Sequence, residues 1–345
     1  ATIRRQRQMC IRDSFYTILK SNTEARTELE QAEKSLAEID LQFLEQLTKI
    51  LHLEQIINLL PPSCNQLIII PHPFLSLLPV HTLPINETSL IQRFERGVIY
   101  APSCQLLKLV QNRQVSELSH LLAVNSKISQ YPYLDVFVDS ISDNFEHKTI
   151  LKENVTKESL NTHYSEKLSS ANSIIFPCYR SNELSSLEET GLLLANDEIL
   201  NITEVFNLNL SKSRLVTIFA TESHFYNFTT VSDGYITLPS GLLYAGSMAI
   251  IGSLWEVPQE VTTLVLIKLY ENLKKNPEEL TVALKEAQLW LKKKVDKEEL
   301  EELIEYISLK EEQRTFWEEW LENMSDDLPL FSNPYYWSSF YVMGR

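Results

Sequence analysis

Polar residues that could take part in chemistry follow two apolar segments of this sequence. Residues 174–180 run Ile-Ile-Phe-Pro-Cys-Tyr-Arg, and residues 215–223 run Leu-Val-Thr-Ile-Phe-Ala-Thr-Glu-Ser. Each apolar run predicts a buried β-strand that delivers its last, polar side chains to the edge of an α/β sheet. Because active sites of open α/β folds lie at that edge, the sequence predicts a candidate site where these two strands end.

Strand patterns and helix patterns alternate along most of the chain. The strand candidates are residues 67–70, 97–101, 121–124, 173–178, 214–220, 248–252 and 340–342. The helix candidates between them are residues 103–113, 155–168, 239–245, 259–275 and 279–294. Such alternation favours parallel strands joined by right-handed crossovers. The sequence therefore predicts an α/β fold in which helices flank a mostly parallel central sheet.

The first sixty residues are predicted to differ from this α/β unit. Residues 1–14 show no clear periodicity and are similar to translated sequencing-adaptor read-through. Apolar residues from Leu29 to Ile50 recur at three- and four-residue steps, which predicts an amphipathic helix. This helix is expected to break near His52 and to end before Pro61. The boundaries that follow are an artefactual or disordered leader over 1–14, a helical lead-in over 15–60 that can be the end of an upstream helical repeat region, and an α/β domain over 61–345.

A charge-rich segment interrupts the α/β pattern near the end of the chain. Lys292-Lys293-Lys294 leads into a glutamate-rich stretch whose apolar residues keep helical spacing. The spacing predicts two short amphipathic helices inserted before the last strand, within residues 292–330. Charge-rich helices of this kind are usually solvated faces packed on a domain edge. A partner-binding role for this insertion is the alternative.

Length and charge exclude some classes of function. The 345 residues can form two average domains or one large α/β unit. Asp and Glu number 46 against 31 Lys and Arg, which gives a net charge of −15. A nucleic-acid-binding protein needs a basic face, so this balance argues against a nucleic-acid partner. We expect an acidic cytoplasmic protein.

Cysteine and histidine spacing argues against a metal site and against a disulfide framework. The four cysteines are scattered and form no Cys-x-x-Cys pair, so reduced thiols in a cytosol are expected. No two histidines have a metal-binding spacing such as His-x-x-x-His. We therefore expect neither a metal nor another cofactor.

An uncharged stretch from Gly234 to Trp255 raises the question of a membrane span. Pro239 and four glycines interrupt this stretch, and its second half is rich in small and β-branched residues. A buried helix followed by a buried strand is therefore predicted instead. No secretory signal is visible at the N-terminus. We expect no membrane partner.

Five motifs occur in one order along the chain. They are Ile68-Ile69-Ile70-Pro71-His72 with Leu75 and Leu78-Pro79; Tyr100-Ala101-Pro102-Ser103; Gly241-Leu242 with Ala245-Gly246-Ser247 and Gly252-Ser253-Leu254-Trp255; Ala283-Leu284 with Ala287-Gln288; and Asn333-Pro334-Tyr335-Tyr336-Trp337 with Phe340 and Gly344. From Phe43 onward the sequence thus resembles the CHAT family, caspase-like cysteine peptidases often found beside TPR repeats. The resemblance implies a caspase-like three-layer sandwich with a mostly parallel central sheet, preceded by an amphipathic helix.

The resemblance also implies where a catalytic site would lie. In the CHAT family a strand that ends in His-Gly and a strand that ends in Ala-Cys-Glu-Thr-Gly supply a His/Cys dyad. Tyr179 occupies the histidine position here, and Thr221 occupies the cysteine position. Arg180 and His224 stand where the family has glycine. The residues implied for the neighbouring pocket are Cys178, Arg180, Glu222 and His224.

Tyr179 and Thr221 lack the chemistry of a cysteine peptidase. Such an enzyme needs a thiolate, and an imidazole that generates the thiolate and protonates the leaving amine. A tyrosine phenol titrates near ~10 and has almost no basic form at neutral pH. A threonine hydroxyl is far less acidic than a thiol. We therefore expect no functional catalytic residue, and the resemblance implies a pseudopeptidase that regulates or binds a protein or peptide, presented by upstream helical repeats, in bacterial signalling.

Two alternatives remain open from the sequence. The first is an active peptidase with a non-standard nucleophile, in which Cys178 and His224 form a dyad on exchanged strands. Neighbouring strand residues point to opposite faces, so Cys178 is expected to face away from Tyr179 as a core thiol. The second alternative is a structural subunit in which the helices of residues 292–325 make a permanent oligomer. The oligomeric state itself is left open.

Overall fold

The computed structural model describes residues 41–72, 75–76, 78–115, 117–125, 131–152, 154–179, 191–222, 237–307, 309–322 and 329–345. The strands are β1 Leu67–Ile69, β2 Pro84–Ile85, β3 Thr88–Ser89, β4 Val98–Tyr100, β5 His120–Val124, β6 His147–Leu151, β7 Ser173–Tyr179, β8 Gly191–Leu193, β9 Ile199–Asn201, β10 Leu215–Glu222, β11 Ala249–Ser253 and β12 Phe340–Gly344. The helices are α1 Leu41–Ile50, α2 Leu53–Ile57, α3 Leu90–Arg93, α4 Cys104–Gln111, α5 Pro132–Ser142, α6 Lys157–Asn161, α7 Ser165–Ser170, α8 Ile202–Val205, α9 Leu238–Ala245, α10 Gln259–Lys275, α11 Leu280–Lys293, α12 Lys297–Tyr306, α13 Glu311–Glu322 and α14 Pro334–Trp337.

One large sheet organises the described part of the chain. Its order is β1-β4-β12-β11-β10-β7-β5-β6, and β8 and β9 extend it from β7 as a ten-stranded sheet. The strands β11, β10, β7, β5 and β6 are parallel neighbours, and β12 is antiparallel to β11. The predicted α/β fold with a mostly parallel sheet is confirmed, and the four segments 173–178, 214–220, 249–253 and 340–343 lie in it together.

Helices flank the sheet in two packed groups. The helices α5, α10 and α11 pack on one another, and so do α4, α8 and α9. The side chains of β11 are buried along the whole strand, which requires cover on both faces of the sheet. The uncharged stretch contains α9 and β11, both largely buried, as the sequence predicts. No helix of the described residues combines the length and the apolar character needed to cross a bilayer.

A buried hydroxyl cluster ties α10 to the two strands that lead to the candidate site. The Tyr270 hydroxyl lies 3.0 Å from the Ser173 hydroxyl of β7 and 2.9 Å from the Thr217 hydroxyl of β10. All three side chains are buried, so these hydrogen bonds replace water that the core excludes. The cluster therefore helps to hold β7 and β10 in register beneath the helix.

The N-terminal helices form a second, smaller core. Leu44, Leu47 and Leu53 of α1 and α2 pack with buried residues of the segment 78–98. His52 separates the two helices with a φ of +51°, a left-handed conformation that a helix cannot continue through. The predicted break near His52 is confirmed. The predicted part of this helix before residue 41 lies outside the described residues.

The charged insertion forms the two predicted helices, α12 and α13. Leu300 and Ile304 of α12 are buried, as is Trp317 of α13, while glutamates occupy the exposed face of α12. The Trp290 indole of α11 donates a 2.8 Å hydrogen bond to Glu299 and so fastens α12 to the domain. The helix predicted over residues 155–168 is instead two helices, α6 and α7. Its centre, Asn-Thr-His-Tyr, has low helix propensity, which accounts for the break.

Candidate functional site

The register of β7 and β10 places the two predicted dyad positions at one edge. The strands are parallel, and their pairing runs from Leu215 opposite Ser173 to Phe219 opposite Pro177. Tyr179 and Thr221 each follow the last pair by two residues, inside the same strands. We call the side of the sheet where β5, β7, β10 and β11 end the carboxyl edge. The backbone of both positions therefore lies at the carboxyl edge, as the sequence predicts.

A bulge distorts β10 just before it ends. Between Thr217 and Glu222 the strand takes five residue steps, while β11 takes two between the paired residues Ile251 and Ser253. The extra residues, which include Thr221, have no paired residue in β11. Bulges occur next to active sites because they redirect the side chains of the bulged strand. The strand end that corresponds to a catalytic cysteine position is thus irregular.

The end of β7 carries a short antiparallel strand. Cys178 pairs with Leu192 and Tyr179 pairs with Gly191 of β8. A Cβ atom added at Gly191 would lie 2.1 Å from the Leu200 carbonyl oxygen, so only glycine fits here. Glycine thus lets β9 approach the strand that covers this end of β7. The other two predicted pocket residues, Arg180 and His224, lie outside the described residues.

The end of β11 is fixed by aromatic hydrogen bonds. The Trp255 indole donates to the Tyr335 carbonyl at 2.9 Å, and the Tyr335 hydroxyl donates to the Glu256 carbonyl at 2.9 Å. Trp255 and Trp337 are 4% and 2% exposed, which supports the interpretation of both as structural anchors rather than ligand contacts. The two tryptophans therefore hold the loop after β11 against the last helix and strand.

A buried polar cluster at the end of β5 was not predicted. The Asn125 amide, 1% exposed, donates a 3.0 Å hydrogen bond to Asp135, whose carboxylate lies 3.5 Å from the Lys152 ammonium. The Asn125 Oδ1 atom is buried, and no described residue donates to it. Asn125 directly follows the predicted strand 121–124, so the same signal that marked β7 and β10 could have found it.

Two ionisable groups near the starts of α5 and α10 also line this side of the fold. Burial raises the pKa of the Glu260 carboxyl. Burial, and next the charge of Glu260, raise the pKa of the Tyr133 phenol. Both shifts favour the neutral forms at neutral pH, so neither group supplies a charged base at this edge.

The described histidines serve other parts of the fold. His120 and His147 stack at the starts of β5 and β6 with ring centroids 4.5 Å apart. His81 is buried, with its Nδ1 atom 2.8 Å from the Tyr100 hydroxyl, and burial lowers its pKa from 6.5 to about 3. Within the described ranges no three His, Cys, Asp or Glu side chains cluster in a way that could hold a metal ion.

Comparison with known proteins agrees with the fold. A sequence model of the CHAT domain matches residues 41–345. A chain of the Saccharomyces cerevisiae separase–securin complex has a TM-score of 0.45 at 10% identity, over 80% of this chain and 15% of that one. The Arg-specific cysteine proteinase gingipain R (RgpB) has a TM-score of 0.40 at 12% identity, over 72% of this chain and 53% of that one. A complex of the pro- and mature domains of Porphyromonas gingivalis RgpB gives 0.41 at 11%, with 72% and 54% covered. No curated protein matches.

Proposed function

This chain belongs to the CHAT domain family, and we propose that it is a pseudopeptidase, a non-catalytic member that acts as a regulatory or interaction module. Its partner in this proposal is a protein or peptide, presented by helical repeats upstream, in a bacterial signalling pathway of the cytoplasm. The carboxyl edge, where β7 and β10 end, is the surface that receives the partner.

The register of β7 and β10 is the single observation that carries the proposal. Tyr179 and Thr221 follow the pair Pro177–Phe219 by the same two residues on parallel neighbouring strands. These are the positions at which the family's sequence pattern has histidine and cysteine. The substitutions therefore fall on both members of one pair of facing positions, rather than on residues that an alignment has misplaced.

The residue types at these positions oppose catalysis. Nucleophile and base act as a unit, and the loss of either partner removes most of the rate enhancement. A phenol and a secondary alcohol form no nucleophile–base pair at neutral pH. What remains at the edge is a set of hydrogen-bonding groups and backbone amides, which can bind an extended peptide without cleaving it.

Restoring the pair tests the proposal. We expect Tyr179→His with Thr221→Cys to produce a thiol whose pKa is lower than that of a free thiol, because an adjacent imidazolium stabilises the thiolate. The pH dependence of alkylation measures this, in a Cys64→Ser/Cys104→Ser background that removes one partly exposed and one exposed thiol. The matched control is Thr221→Cys alone, which should keep an ordinary thiol pKa. Equal alkylation profiles of the two variants would show that the positions do not face each other.

A second candidate is an active peptidase that uses Cys178, which also lies at the end of β7. A thiol-reactive peptide probe distinguishes it in the same Cys64→Ser/Cys104→Ser background. Saturable labelling that is lost in Cys178→Ser would favour the enzyme. Under the pseudopeptidase proposal, labelling stays slow and does not saturate.

A third candidate is a structural oligomer built through the insertion. Tyr306 of α12 and Phe316 of α13 are 76% and 46% exposed, which is high for large apolar side chains. Light scattering of the wild-type protein and of a Tyr306→Ser/Phe316→Ser variant measures the oligomeric state. A wild-type oligomer that the two substitutions convert to a monomer would favour this candidate.

A further inference from the structure

A cavity lies at the side of the sheet opposite the candidate site. We call this side the amino edge; β10 and β11 begin there and β12 ends there. The cavity has a volume of about 310 Å³, and Arg214, Met248 and Arg345 line it where these three strands meet. Arg96, which precedes β4, and Thr281, at the start of α11, complete the wall. Three guanidinium groups from distant parts of the sequence thus converge on one cavity in an acidic protein.

Arg214 is held rigidly at the base of this cavity. Its residue is 8% exposed, and its guanidinium donates to the Pro277 carbonyl and lies 3.5 Å from the Glu278 carboxylate. A guanidinium is rarely buried unless a structural or binding role retains it. Glu278 is 73% exposed, so water screens its charge and the ion pair compensates little of the cost of burial.

Arg345 brings a second positive charge that backbone groups hold. Its guanidinium donates to the carbonyls of Gln111 and Arg113 at 3.2 and 3.3 Å. A carbonyl orients a guanidinium without neutralising it. Burial chiefly lowers the pKa of Arg214, the Glu278 charge raises it, and the Arg345 charge lowers it again, so the two guanidinium groups repel each other.

Arg96 contributes the third guanidinium at the rim. Its Nε atom lies 3.6 Å from the Glu279 carboxylate, and both side chains are about half exposed. Ion pairs of this kind are weak and exchange readily with other partners. Arg96 can therefore turn to a ligand without a large loss of stability.

We propose that this cavity binds a small phosphate-bearing molecule, with Arg214 and Arg345 as its main contacts. A phosphate group carries up to two negative charges and three terminal oxygens, and guanidinium forks match that geometry. The amino end of α11, where Glu279 provides no side-chain cap, adds partly positive backbone amides to the same wall. A second cavity of about 330 Å³ shares Arg214 and Glu278 with the first, which leaves room for the rest of a phosphate monoester.

Calorimetric titration of the full chain with inorganic phosphate, at constant ionic strength and with chloride as the reference anion, tests this site. We expect saturable binding in the millimolar range or tighter, and at least tenfold weaker binding by Arg345→Gln, because a charge-assisted contact is lost. Arg314→Gln on α13 is the matched control and should bind like the wild type. Circular dichroism of both variants verifies folding.

Ribose 5-phosphate distinguishes the two sources of a phosphate group. Tighter binding than inorganic phosphate would assign the site to a monoester, and equal affinity would assign it to free phosphate. Phosphate heats that match those of chloride, or an Arg345→Gln variant with unchanged affinity, would overturn the proposal. These results do not depend on Tyr179 or Thr221, so the failure of this site and the failure of the pseudopeptidase proposal are separate outcomes.

Discussion

The two edges of the central sheet present different chemistry, although the same strands build both. At the amino edge, β10 follows the buried Arg214, and guanidinium groups surround a cavity. At the carboxyl edge, β10 ends in a bulge around Thr221 beside the end of β7. Between them lies an apolar sheet with the hydroxyl cluster of Tyr270 at its centre. Strand pairing therefore fixes where side chains stand, and the residues at the strand ends decide what each edge can do.

Deletion of residues 333–345 should have the largest effect on this comparison, because β12 joins the two edges. The strand pairs with β11 from Phe340 to Gly344, and the deletion also removes the buried Trp337. Truncation of one large buried aromatic costs roughly 3–5 kcal/mol, a large share of the stability of a typical domain. We expect no cooperative thermal transition by circular dichroism. An unchanged melting temperature would show that the segment is dispensable.

Acid should destabilise the protein through His81, which faces neither edge. Its folded-state pKa is about 3 against an ordinary 6.5, so the unfolded chain binds the additional proton between these values. The free energy of unfolding should therefore fall as pH falls from about 6.5 to about 3, by up to ~1.4 kcal/mol per pH unit from this residue.

His81→Asn isolates that contribution, since an asparagine amide can still reach the Tyr100 hydroxyl but does not titrate. Urea unfolding at several pH values should give a smaller slope against pH for the variant than for the wild type. Equal slopes would mean that His81 is protonated in the folded protein at the same pH as in the unfolded chain.

Tyr270→Phe should weaken the shared centre of the two edges by a moderate amount. The variant leaves the hydroxyls of Ser173 and Thr217 buried without their common partner, which costs about 1–3 kcal/mol. Tyr244→Phe removes a hydroxyl from a side chain that is 59% exposed and serves as the control, with no change expected. Urea midpoints measure both. A loss of stability as large in Tyr244→Phe would contradict the role given to the buried cluster.

The smallest effect is expected at the rim of the amino edge. Glu279→Gln breaks a 3.6 Å, half-exposed ion pair with Arg96, so the free energy of unfolding should change by less than about 1 kcal/mol. Removal of the carboxylate should at the same time strengthen phosphate binding, because it frees Arg96 and removes a repelling charge. Weaker phosphate binding by this variant would show that Glu279 belongs to the site as a positive contributor.

Sequence patterns predicted the central strands and several helices well. The bounds of α10, 259–275, agree with the prediction, because its charges and caps bound a long apolar pattern. The helix α5 was not predicted. Most of its residues are buried, Asp135 included, so little amphipathic contrast marks it. The strands β8 and β9 have three residues each, too few for a period-two pattern to emerge.

The candidate site was predictable in position but not in detail. Apolar runs ending in Tyr179 and Thr221 marked the strand ends, whereas the register and the bulge of β10 arise from pairing between segments far apart in sequence. The arginine cavity carried no local signal at all, since Arg96, Arg214 and Arg345 meet only through the topology of the sheet. Long-range assembly, rather than local propensity, therefore creates the parts that sequence analysis missed.

Cleavage of a peptide library by the unmodified chain, compared with Thr221→Ala, tests the central claim most directly. A pseudopeptidase should give no cleavage above background with either protein, because the two dyad positions hold no nucleophile–base pair. Cleavage by the wild type that Thr221→Ala abolishes would contradict the claim outright.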